Sequence, residues 1–449
     1  MTLPVWRTDD TDFQRKFRSL VDRLSLEQGL RALSSTEQES PEEAVRRIIG
    51  EVRQRGDVAL LEYSERFDRC KLTARDLRIS ADEVEAAVAR CPSDLLDALH
   101  LAAERIRAFQ QSILLRDPEP LRDAGRTLGL RYRPVDSACV YVPGGSASLA
   151  STVLMGAIPA RVAGVRRVAM TTPPRPDGSV SDDRLAAASI AGVDEMYRIG
   201  SAWAIAAFAY GTESVRAVDF IAGPGNIYVT LAKRQVFGQV GIEMLPGPSE
   251  VVIIADRSAE ADYVAADLLA QAEHDPGSAV LLTDDGRLAA QVSEAVETRL
   301  AALGRADAAR KCLRSYGAAI VCNSMEECIE LANELAPEHL EVLAQKPEEI
   351  ADRVRHAAAV FLGPWSPVAV GDYIAGPSHI LPTSRTARFS SGLCANDFLK
   401  RSSVIRYDGG ALAADAPAIA RMARAEGLDG HAQSVEVRNE RIRNAPRRG

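Results

Sequence analysis

The spacing of apolar and polar positions changes along the chain, and the changes predict its elements. Up to about residue 115 the spacing is helical. Residues 41–67 set Val45, Ile48, Ile49, Val52, Leu60 and Leu61 in a stripe among charged residues. Ser40, Pro41, Glu42 and Glu43 make a good helix start: a cap, a proline whose missing N–H costs nothing there, and two acids in the first turn. Residues 81–109 predict more helix, interrupted at Pro92. From about residue 138 short apolar runs alternate with helical stretches. Strands are predicted at 139–142, 167–171, 195–199 and 218–222, with helices at 151–163 and 202–210 between them. After Gly247 the alternation resumes, with strands at 251–255, 279–283, 318–321 and 359–362 and a helix at 259–274. Such alternation favours parallel sheets covered on both faces. Beyond Gly392 the pattern returns to helix and loop.

Composition narrows the class. A chain of 449 residues has room for two to four domains, and 46% hydrophobic with 26% charged residues is ordinary for a soluble globular protein. The net charge of −8, with both signs interspersed, argues against a nucleic-acid binder. The basic run at 438–448 reads as a solvated terminus. No stretch approaches the ~18 apolar residues of a membrane span. The first ten residues carry acids and no apolar core, so no secretory signal is expected. Seven cysteines without a CxxC pair suggest reduced, mostly buried thiols and a cytoplasmic protein.

Four of the six histidines fall in separate motifs that also hold other polar residues. In Gln271-Ala-Glu-His274 the two polar ends share a helix face just before Asp275-Pro276-Gly277 stops the helix. Taken alone, this is equally a polar helix end. Ala336-Pro337-Glu338-His339-Leu340-Glu341 puts an acid beside a base at a turn, or at an exposed helix start. Asp372 and His379 sit in a loop punctuated by glycine and proline, and Glu426 and His431 flank Gly427-Leu428-Asp429-Gly430, whose glycines imply a shaped turn and not a regular helix. Histidine, carboxylate and amide side chains together suit a divalent metal. His100 and His356 lie in helical patterns and read as structural or surface residues. Tyr141-Val-Pro-Gly-Gly145 and Ala222-Gly-Pro-Gly-Asn226 each follow a strand and precede a helix. Their glycines suit either a phosphate or ribose close to backbone amides or a plain tight turn, and neither is GxGxxG.

Taken in order, the segments 141–165, 223–238, 247–256, 267–276, 336–341, 371–383 and 426–432 resemble the histidinol dehydrogenase family, over about residues 40–437. The resemblance implies a zinc- and NAD-dependent enzyme that oxidises L-histidinol to L-histidine, the last step of histidine biosynthesis, with two NAD. It implies zinc ligands at Gln271, His274, Asp372 and His431, and a catalytic pair at Glu338 and His339. Ser249, His379 and Glu426 match substrate contacts. The metal ligands and His339 also face the substrate. Tyr141 and Asn226 match NAD contacts, and a third such position, usually glutamine, is Trp203 here. Tryptophan is larger and cannot accept a hydrogen bond.

The implied architecture is α/β. It has two Rossmann-like parallel-sheet domains, 25–140 with 252–393 for zinc and catalysis and 141–251 for NAD, and an N-terminal helical segment at 1–24. A C-terminal segment at 394–449 reaches the partner's site in an intertwined homodimer with shared active sites. Trp203 also motivates two alternatives: a family member that oxidises a different alcohol, and a zinc-binding protein without dehydrogenase activity.

Overall fold

The computed structural model describes residues 2–25, 39–144, 149–273 and 277–444. The chain forms two compact units, one of residues 1–113 and 135–398, the other of residues 114–134 and 399–449.

The first unit holds two parallel sheets. The five-stranded sheet runs Glu195–Tyr197, Arg167–Thr171, Ser137–Tyr141, Phe220–Ala222, Gly241–Ile242. The six-stranded sheet runs Val5–Arg7, Gly317–Val321, Gly277–Thr283, Ser249–Ala255, His339–Leu343, Ala359–Leu362. Val251, Ile253 and Ala255 point into one core cluster and Val252 and Ile254 into another, so helices cover both faces of this sheet. Continuous apolar runs were therefore the right signal for its inner strands.

The helix Pro41–Arg55 begins as its sequence predicts. Ser40 Oγ accepts the Glu43 N–H, and the Glu43 carboxylate accepts the Ser40 N–H in return. Its stripe of Val45, Ile48, Ile49 and Val52 is buried together with Cys139, Tyr141 and Ile221. Residues 41–77, which the expected boundaries group with the catalytic sheet, thus share a core with the five-stranded sheet instead. Residues 1–24 are not wholly helical either. Val5–Arg7 pairs with Gly317–Val321 as an edge strand, and only Phe13–Arg23 is helix.

Two further strands depart from the sequence reading. His339–Leu343 was expected as a turn or helix start, yet it is a strand buried at every position. Its polar His339 and Glu341 hide the apolar run that would mark it. In the second unit Leu399–Tyr407, in a region expected as helix and loop, pairs antiparallel with Arg126–Pro134, which also pairs with Leu121–Asp123. That strand is exposed at all but its first residue, so it has no core face to write a pattern. The helices Gly409–Ala425 and Asp429–Asn444 pack on each other. No helix among the described residues is long and apolar enough to cross a membrane.

Candidate active site

The acid/base pair is placed by backbone geometry. The helix Met325–Leu335 ends at Ala336 in the left-handed region (φ +46°), and Pro337 cannot continue it. The chain then enters the sheet at His339, opposite Val251 on one side and Ala359 on the other. Ser249 is the first residue of the neighbouring strand. Ser249, Glu338 and His339 therefore stand at the amino ends of the six-stranded sheet.

Glu338 is buried. Ser249 Oγ donates to its Oε2 at 2.6 Å, and the Glu250 N–H donates to the same oxygen at 2.9 Å. Burial outweighs both bonds and pushes the carboxyl up to about 8. His339 Nδ1 donates to the Glu250 carbonyl at 3.0 Å. In the neutral ring this leaves Nε2 as the lone-pair nitrogen. Nε2 is buried without a hydrogen-bond partner among the described residues and stands 3.9 Å from Asp372 Oδ1. Burial holds the imidazole below its usual pKa, so it is a neutral base.

Asp372 lies in the last turn of a short helix, Val368–Tyr373. Its carbonyl accepts His379 Nδ1 at 2.9 Å, and Thr152 Oγ1 lies 3.1 Å from His379 Nε2. Burial lowers His379 to about 4, so it too is neutral, with Nε2 accepting from the threonine hydroxyl. His339, Asp372 and His379 line one cavity of about 570 Å³, walled also by Phe361 and Cys394. That volume suits a small molecule.

Of the other implied metal ligands, Gln271 lies in the last turn of the helix Ala261–Ala272, 4% exposed, with Nε2 unpartnered among the described residues. His274 and Gly145 lie outside the described residues. Glu426 and His431 are exposed on the second unit. Gly427 makes a turn there (φ +75°), but Gly430 and His431 lie within the helix Asp429–Asn444, contrary to the shaped turn expected for both glycines. Among the described residues no group of three or more His, Cys, Asp or Glu side chains could hold a metal ion. Of the four implied ligands, the described residues give a buried amide, Gln271, and a carboxylate at the cavity wall, Asp372. His100 is exposed on the helix Ser93–Ile113, and His356 lies in a loop rather than the expected helix.

The glycine turns lie at the carboxyl ends of the five-stranded sheet, the usual ligand side of an open parallel sheet. Tyr141 ends its strand, is buried, and accepts the Ser201 N–H at 3.0 Å. Gly223 follows Ala222 with φ +125°. Asn226 is exposed and caps the helix Ile227–Val236, accepting the Tyr228 and Val229 N–H groups at 3.1 and 3.2 Å. Trp203 is turned into the core at 3% exposure. It stacks on Tyr63 and Phe67 with centroids 5.7 and 5.6 Å apart, and its Nε1 has no partner among the described residues.

Sequence reasoning missed Glu250 and Thr152, which orient the two histidines, and Glu341, a buried carboxyl facing Asp267 that burial raises. The signal for Glu250 and Glu341 was a lone acid inside an apolar strand run. Glu250 is itself raised to about 8 from 4.5, by burial first and Glu338 second. From about pH 5 to 8 the unfolded chain then releases a proton that the folded protein keeps, so stability falls as pH rises. Glu250→Gln keeps the acceptor for the Ser384 N–H. It is expected to make that fall shallower, as read from melting temperatures at pH 5, 6.5 and 8. Parallel curves for the two proteins would mean that Glu250 is ionised in the fold.

Glycine turns on one parallel sheet and a buried acid/base pair on another define an α/β enzyme. The histidinol dehydrogenase family model matches residues 32–439. Histidinol dehydrogenase of a Synechococcus species is 51% identical over 89% of this chain and 93% of its own length. That of Gluconobacter oxydans is 50% identical over 92% and 96%. The crystal structure of histidinol dehydrogenase from Elizabethkingia anophelis superposes with a TM-score of 0.91 at 34% identity, covering 99% of both chains. The chain belongs to the histidinol dehydrogenase family.

Proposed function

We propose that this protein is a cytoplasmic oxidoreductase that converts L-histidinol to L-histidine by way of histidinaldehyde, with two NAD, as the final step of histidine biosynthesis. The observation that carries the reading is His339: a neutral imidazole whose tautomer is set by Glu250 and whose lone-pair nitrogen faces the cavity beside Asp372.

Zinc held by Gln271, His274, Asp372 and His431 would orient the substrate through its imidazole and amine. NAD at the Tyr141 and Asn226 turns would accept both hydrides. His339 Nε2 takes the hydroxyl proton as the first hydride leaves, giving the aldehyde. Glu338, in its ionised form, takes a proton from the water that adds to the aldehyde. The second hydride then leaves from the hydrate, and the sum is alcohol plus water plus two NAD+ giving carboxylate, two NADH and three protons. Ser249, His379 and Glu426 would hold the substrate between the two oxidations, so that the aldehyde is not released.

A homodimer with shared sites fits the second unit. Among its described residues the buried apolar cluster is three alanines, Ala420, Ala423 and Ala432, while Ile405, Leu121, Met422 and Val437 are 60–70% exposed. So small a core needs a further surface to cover it, and its exposed Glu426 and His431 would complete a partner's site. The test measures NADH formed from histidinol by zinc-loaded protein from neutral to alkaline pH, with sedimentation of the same sample. Two NADH per histidinol, loss of turnover on chelation, recovery with zinc, and a dimer are expected. Absence of NADH, or preference for another amino alcohol or diol, would sink the assignment.

A further inference from the structure

Lys233 and Glu243 form an ion pair with almost no solvent exposure, 0% and 1% for the two side chains, at 2.6 Å. Neither belongs to the acid/base pair or to the implied ligand sets. Both bind the backbone of the same residue. Lys233 Nζ also donates to the Gly223 carbonyl at 3.0 Å, and the Gly223 N–H donates to Glu243 Oε1 at 2.7 Å. The register explains the placement. Phe220 and Ile221 pair with Gly241 and Ile242, so Glu243 comes alongside the chain as it leaves the sheet. Lys233 reaches the same point from the helix that the turn leads into.

A buried ion pair is a poor way to gain stability, because well-packed apolar side chains of the same volume do as well. An apolar pair could not bond the N–H and C=O of a buried residue that has left its ladder. Gly223 needs such a hold. Its φ of +125° takes the backbone within contact of the Tyr141 carbonyl, where an added Cβ would lie 2.1 Å from the oxygen. The other end of the turn is fixed by the Asn226 cap.

The geometry points to Lys233 and Glu243 as positioning residues for the cofactor: their ion pair sets the Gly223–Asn226 turn in the shape that receives the pyridine dinucleotide. This inference rests on the proposed NAD site. It assigns the pair no contact with substrate or metal, so the two oxidations should keep their chemistry while cofactor binding weakens.

The test uses the zinc-loaded full-length double variant Lys233→Met/Glu243→Gln, which removes both charges at similar volume. It is compared with the parent and with Asn226→Ala. NAD affinity is read directly by calorimetric titration, beside KM for NAD, kcat, and histidinol binding without NAD. The expected result is NAD affinity and KM weakened about tenfold, kcat within about threefold, and histidinol binding unchanged. A folded double variant with parental NAD affinity overturns the proposal, and if Asn226→Ala binds NAD weakly in the same experiment the cofactor site itself still stands. Parental affinity in Asn226→Ala as well, or no NAD binding by the parent, overturns the cofactor site and this proposal with it. Should the double variant not fold, Glu243→Gln alone decides. It keeps an acceptor for the Gly223 N–H but weakens the lysine's hold, and unchanged NAD affinity there also overturns the proposal.

Discussion

Turnover of histidinol by the His339→Ala variant is expected to fall by about 10²–10⁴-fold, with zinc content kept. The size follows from what the imidazole does. Its Nδ1–H is committed to the Glu250 carbonyl and its Nε2 has no partner among the described residues, so one atom is poised to receive a proton. Among the described residues the other histidine of the cavity is not so placed: the His379 ring has both nitrogens engaged, by the Asp372 carbonyl and the Thr152 hydroxyl. His339 lies outside the proposed ligand set, so the metal should stay. His274→Ala is the counterpart and should lose zinc. Metal analysis beside kcat separates the two roles, and equal zinc loss in both variants would show that the roles are misassigned.

The second large effect is expected from Gly223→Ala. A Cβ there meets the Tyr141 carbonyl oxygen at 2.1 Å, and that oxygen is backbone, so no side chain can swing aside. The φ of +125° adds strain for an L residue, of the order of 1–3 kcal/mol. The turn must open, and Gly223 must then give up its bonds to Lys233 and Glu243. NAD binding is expected to weaken by more than about tenfold, with a lower melting temperature. Calorimetric NAD titration and thermal melts check this, and a variant with parental affinity and melting point would show that the turn tolerates another shape.

How much of this the residues disclosed in advance depends on what each element has to bury. The inner strands of both sheets are covered on two faces and read as apolar runs. The helix at Pro41 announces itself through its cap and its stripe. The strand at His339 does not, because the residues that make it chemically useful replace the apolar ones that would reveal it. Leu399–Tyr407 pairs with Arg126–Pro134, more than 260 residues earlier, and buries almost nothing; a pairing so distant leaves no local trace. At the site, the motifs singled out Glu338, His339, Asp372 and His379, and the last three line one cavity. Order and spacing could not show that Glu250 sets the histidine tautomer, since that bond comes from a main-chain carbonyl. Nor could they show that Trp203 faces Tyr63 and Phe67, since helix periodicity is silent where every side of the helix is buried.

The acid and base are carried at the head of a strand with a neighbour on each side, whereas much of the cavity wall comes from the segment 366–379, a short helix and the turn after it, outside the sheet. A residue fixed by two ladders cannot be shifted by a fraction of an ångström without moving both of them. The segment that holds Asp372 and His379 carries no such burden. Divergence toward a different alcohol therefore has its cheapest route through that segment, and residues 338–343 are the part of this site that a lineage can lose but cannot easily retune.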